Sequence, residues 1–79
     1  MNRHDLPHIL YTSIKDLGGQ ADIIGACKYI WQHYQNELEC SGDLFYTWQY
    51  DIRWAATELR KTGRMKAAEL SAKGIWEIK

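Results

Sequence analysis

Seventy-nine residues make one domain, 1–79, near the lower size at which a single core sustains a fold without disulfides or metal. Hydrophobic residues form 46% of the chain, with four Trp and five Tyr, so a dense core is within reach, and no apolar run of about 18 residues exists to span a bilayer. Ten Lys/Arg balance ten Asp/Glu, a zero net charge that taken alone argues against a strong nucleic-acid binder.

Asp5 before Leu6-Pro7 reads as a helix start, because Asp can cap free N–H groups and Pro is tolerated where its missing donor is not needed. Leu6, Leu10, Ile14 and Leu17 then share one stripe, and Gly18-Gly19 ends the helix. Gln20-Ala21 is long enough only for a stub of strand. Asp22 is placed to cap a second helix whose buried face carries Ile23, Ile24, Cys27, Ile30, Trp31, Tyr34 and Leu38. The polar turn Glu39-Cys40-Ser41-Gly42-Asp43 stops it between Asn36 and Glu39.

The third helix is expected to begin between Phe45 and Trp48 and to run to Lys61, since Trp48, Ile52, Ala55 and Leu59 fall at four- and three-residue steps, widened by Trp54 and Ala56. After Gly63, the runs Arg64-Met65-Lys66 and Gly74-Ile75-Trp76-Glu77-Ile78 are short strand candidates. Ala67 to Lys73 joins them either as a protruding wing or through a helical turn over Ala67-Ala68-Glu69-Leu70. The fold class is therefore α+β, mainly α: three helices with a C-terminal β-hairpin, in winged helix-turn-helix order.

Charge is uneven along this plan. Residues 1–45 hold three Lys/Arg against six acids, and residues 46–79 hold seven against four. That split suits one face for an anionic partner, and equally an ordinary solvated surface. The outer side of the third helix presents Gln49, Tyr50, Arg53 and Thr57 as candidates for reading bases, Arg53 first because a guanidinium can grip guanine O6 and N7 together. Arg60, Lys61, Arg64, Lys66 and Lys73 are the phosphate candidates. Their alternative is a lattice of surface ion pairs with Glu58, Glu69 and Glu77, and Asp51 and Glu58 beside the reading face would repel phosphate. Trp48, Trp54 and Trp76 read as core residues rather than base-stacking ones, while Tyr50 lies toward the outer face.

Leu6-Pro7, Leu17-Gly18-Gly19-Gln20-Ala21, Ile52-Arg53-Trp54-Ala55 with Leu59-Arg60-Lys61-Thr62-Gly63, and Lys73-Gly74-Ile75-Trp76-Glu77-Ile78 occur in an order that resembles the N-terminal domain of Mrr-type restriction proteins. The resemblance covers nearly the whole chain. It implies a winged helix that recognises duplex DNA, in a restriction-linked or regulatory setting, with cutting left to a separate nuclease domain. Arg64 departs from the pattern, which favours an apolar residue after the helix-ending glycine.

No catalytic constellation stands out: there is no phosphate-cradling glycine loop, no Ser in a nucleophile turn and no nuclease-type pair of acids with a nearby Lys. His4 and His8 with Cys27, Cys40 or His33 lack the paired spacing of a zinc site, so no metal or cofactor is expected. Two cysteines outside any disulfide framework, and an N-terminus without a secretory pattern, point to the cytoplasm. The expected partner is duplex DNA, bound by a homodimer across two half-sites or by the chain beside another domain. The competing expectation is a protein-contact module that pairs through Tyr11, Tyr29, Tyr46 or Tyr50.

Overall fold

A computed structural model describes residues 1–79 as three α-helices and a two-stranded antiparallel sheet. A 3-10 turn, Arg3–Asp5, leads into α1 (Leu6–Asp16); β1 (Gln20–Asp22), α2 (Ile23–Glu39) and α3 (Leu44–Lys61) follow. A second 3-10 turn (Ala68–Leu70) precedes β2 (Ile75–Glu77). The coarse class, α+β and mainly α, is what the sequence pattern leads one to expect.

Asp5 does not cap α1. Its carboxylate accepts from the Asn2 amide at 2.9 Å while the Asn2 side chain accepts from the His4 amide at 2.9 Å, a capping box that fixes the 3-10 turn instead. The buried stripe of α1 is Leu6, Ile9, Leu10, Ser13 and Ile14, with the Ser13 hydroxyl donating to the Ile9 carbonyl at 2.7 Å. Leu17, expected on that stripe, is 41% exposed because the helix has already ended at Asp16. Gly18 and Gly19 then both adopt positive φ, 101° and 100°, a region that costs side-chain-bearing residues dearly and glycine little.

That double turn aims β1 at β2. Gln20, Ala21 and Asp22 pair with Glu77, Trp76 and Ile75, and the Ile78 amide extends the ladder by donating to the Gly19 carbonyl at 3.0 Å. Asp22 caps α2 as expected, its Oδ1 accepting from the Gly25 amide at 2.6 Å. Ala26, Ile30 and Leu38 are buried, and Cys27, Trp31 and Tyr34 are packed partly against the core. Ile24 departs from the expected buried face: it is 67% exposed. Near its C-terminal end α2 is kinked at Tyr34, with φ −127° and ψ 19°.

α3 starts at Leu44, ahead of the expected Phe45–Trp48 interval, because Leu44 itself enters the core beside Trp48, Ile52, Ala55, Ala56 and Leu59. Trp54 is only half-buried. The expected strand Arg64-Met65-Lys66 is reduced to a single bridge, Met65 with Ile78. The cause is local: the Arg64 and Met65 amides both donate to the Leu59 carbonyl, at 2.8 and 3.2 Å, and so cap α3. What pairing remains is this bridge, made by the Lys66 amide donating to the Glu77 carbonyl at 2.8 Å and the Lys79 amide donating to the Arg64 carbonyl at 3.1 Å. Between Met65 and β2 the chain takes the helical alternative, the Ala68–Leu70 turn, and not an extended loop.

Candidate nucleic-acid interface

The outward side of α3 follows from its inward side. With Trp48, Ile52, Ala55 and Leu59 packed into the core, a period of 3.6 residues turns Tyr46, Gln49, Tyr50, Arg53 and Thr57 to solvent, and all five are exposed. Tyr46 and Tyr50 are 83% and 77% exposed, unusually open for large aromatic side chains. The four base-reading candidates therefore share one face. No carboxylate lies among these five residues.

Asp51 sits on the flank, its side chain only 14% exposed, where it accepts from the Thr47 hydroxyl at 2.9 Å and pairs with Arg3 at 3.6 Å. Its charge is answered locally rather than presented to the face. Arg3 in turn lies 4.0 Å over the Trp54 ring, so the N-terminal turn is held against α3 by a cation–π contact and an ion pair. Sequence reasoning missed Arg3 because nothing in the periodicity of α3 indicates what packs on its flank. Arg53 enters none of the three ion pairs of the molecule.

The five phosphate candidates divide. Arg60 is half-buried and its Nε donates to the Lys66 carbonyl at 3.3 Å, which ties α3 to the segment after it. Lys66 pairs with Glu77 at 3.0 Å, and Lys61 with Glu58 at 3.4 Å across one helical turn. Arg64 leans over Tyr11, 5.9 Å from the ring centroid, on the α1 side. Lys73 is exposed, outside any ion pair, on the far side with Arg60 and the Ala68–Leu70 turn. Arg64 and Lys73 thus stand on opposite flanks of the end of α3 and do not make a single ridge.

Lys28 is a further residue that the sequence did not single out. It is exposed, forms no ion pair, and lines with Arg53 a groove of about 520 Å³ between α2 and α3. The spacing of Cys27 and Lys28 along α2 was the available signal, since it turns Lys28 outward one residue after a half-buried position. Burial pushes the Cys27 thiol above its ordinary range, and the positive charge of Arg53 draws it partly back.

No protein-family model, curated protein or solved structure matches the chain. His4 packs edge-on against Trp54 and His33 stacks on Tyr29, and no three His, Cys, Asp or Glu side chains come together as a ligand set. Of the four tyrosines weighed as a contact patch, Tyr29 donates to Asp16 at 2.6 Å, a bond that pushes its phenol above the usual range, and Tyr11 lies under Arg64. Tyr46 and Tyr50 remain open.

Proposed function

We propose that the chain is a winged helix-turn-helix module that binds duplex DNA, with α3 entering the major groove and Lys73, beyond the end of α3, meeting the backbone. One observation carries this reading: an outward face of α3, Tyr46 to Thr57, free of carboxylates, centred on an arginine outside any ion pair and bordered by Lys28 and Arg3. In such a face Arg53 grips guanine, Gln49 suits adenine, and Thr57 reaches base or backbone. The order of helices, the β1–β2 pairing and the resemblance to Mrr-type N-terminal domains support the same assignment. The module acts by binding and not by catalysis, in the cytoplasm, in a regulatory or restriction-linked role.

Few cations are available, so one copy binds weakly. Two copies on adjacent half-sites supply the missing contacts, which makes a homodimer on DNA the working form. Fluorescence anisotropy of a labelled duplex over a salt series tests the proposal. About four phosphate contacts give a slope of log K against log salt near −3.6. Arg53→Ala should relax sequence preference by about 1 to 3 kcal/mol. No binding at low salt, or binding indifferent to salt, would reject DNA as the partner.

A second reading has its own support. Tyr46, Tyr50 and Ile24 form an open apolar area of the kind that seats a protein partner or a second copy. Under that reading Tyr50→Ala abolishes association measured by sedimentation, and DNA leaves it unchanged.

A further inference from the structure

The groove between α2 and α3 is lined mainly by apolar side chains. Ile24 from α2 stands at its edge, 67% exposed, and Tyr50 from α3 stands opposite, 77% exposed. Trp31, half-buried, lies near-parallel to Trp48, 5° apart in plane and 6.3 Å between centroids; Trp48 is itself buried, so the open aromatic surface of the groove comes from Trp31 and Tyr50. The groove is mainly apolar with a few placed polar groups, as small-molecule sites are. Lys28 and Arg53 are its only charged residues, neither enters an ion pair, and no carboxylate lines it.

From this pairing of aromatic walls with two cations outside ion pairs we infer that the groove binds a planar aromatic acid, a small molecule carrying a carboxylate or sulfonate. The flat body lies against Trp31 and Tyr50 beside Ile24, and the anionic group is drawn to Lys28 and Arg53. Charge complementarity selects against neutral and cationic ligands of the same shape. The response of the Cys27 thiol to the Arg53 charge fits an arginine whose field reaches into the groove. If the face of α3 also reads DNA, Gln49, Tyr50 and Arg53 serve both partners, and ligand and duplex exclude each other.

Anilinonaphthalene sulfonate and its uncharged counterpart N-phenylnaphthylamine share one aromatic body and differ in the anionic group, so paired fluorescence titrations of the folded chain, without DNA, test the inference. The sulfonate should bind one to one and more tightly than the neutral dye. Lys28→Gln and Arg53→Gln, both at exposed positions, should each weaken sulfonate binding by roughly fivefold and leave the neutral dye within about twofold. Ile24→Ser should weaken both. Equal affinity for the two dyes, uptake of several sulfonates per chain, or indifference to both charge variants would overturn the inference. So would a sulfonate signal that falls as protein concentration rises while the sedimenting mass doubles, which would give the groove to a second copy. Because these titrations contain no DNA, their failure leaves the DNA reading standing, and loss of DNA binding leaves them standing.

Discussion

At the scale of single residues, the structure separates cations that hold the fold together from cations that remain available. Arg60 and Lys66 are committed: one donates to a backbone carbonyl, the other pairs with Glu77 between the two ends of the C-terminal segment. Lys73 has no such partner. Lys73→Ala should therefore make the salt slope of DNA binding less negative by about 0.9, the share of one phosphate contact, with unchanged thermal stability. Lys66→Ala should do the reverse, lowering the melting temperature by a few degrees, as about 0.5 to 1 kcal/mol would in a domain of this size, and leaving the slope alone. Sequence periodicity could place Lys66 and Lys73 near the end of α3 but could not tell them apart, because the difference lies in whether Glu77 arrives opposite.

Cys27 reports on the same face. Burial disfavours its thiolate in the folded chain, so the midpoint of its alkylation rate against pH should lie above that of the urea-unfolded chain. Arg53 lowers that midpoint, and Arg53→Ala should move it higher still. A native midpoint at or below the unfolded one would mean that burial does not shield Cys27, and a midpoint unmoved by Arg53→Ala would mean that Arg53 does not act on it.

At the scale of elements, the helices were legible because their signals are local, and the sheet was not because its partners are distant in sequence. Asp22 and the stripe from Ile23 to Leu38 announce α2 within a few residues. By contrast, the pairing of Gln20–Asp22 with Ile75–Glu77 joins segments more than fifty residues apart, and the loss of the Arg64–Lys66 strand follows from amides diverted to the Leu59 carbonyl. Ile24 was misplaced because the spacing did not tell which of two adjacent apolar residues faces inward: Ile23 packs against the core and Ile24 is 67% exposed.

The α2 start also gives a sharp test of local energetics. A Cβ on Gly25 would stand 2.6 Å from the Asp22 Oδ1, the atom that accepts the Gly25 amide, so the cap and a side chain cannot coexist unchanged. Gly25→Ala should thus lose much of the stability that alanine normally adds to a helix, and Asp22→Ala should cost about 1 kcal/mol. In the double variant the two losses should fail to add, because both act on one cap. Chemical denaturation of the four proteins measures this, and full additivity would show that the cap is not the shared cause.

For the whole molecule, a Cα radius of gyration of 11.8 Å agrees with the roughly 11.6 Å expected of a compact 79-residue domain. A chain of this length commands only about 4 to 12 kcal/mol of stability, so a core spread over all three helices and Trp76 leaves little surplus for strained or buried charge. The charge pattern conforms. Both acids within α3, Asp51 and Glu58, are paired, and the arginine at the centre of its outward face is not. None of the six acids of residues 1–45 enters an ion pair, so the charge split visible in the sequence does not by itself locate the open face of α3, a distinction that needed the fold.

The most direct test of that face is a backbone amide NMR titration of the folded chain with a duplex of about 16 base pairs at low salt. Shifts should concentrate at Gln49, Tyr50, Arg53 and Thr57, extend to Lys28 and Lys73, and fade as salt is raised, while Lys15 and Glu37 stay still. Unmoved resonances throughout, or movement centred on α1 and the far side of α2, would contradict DNA recognition by α3.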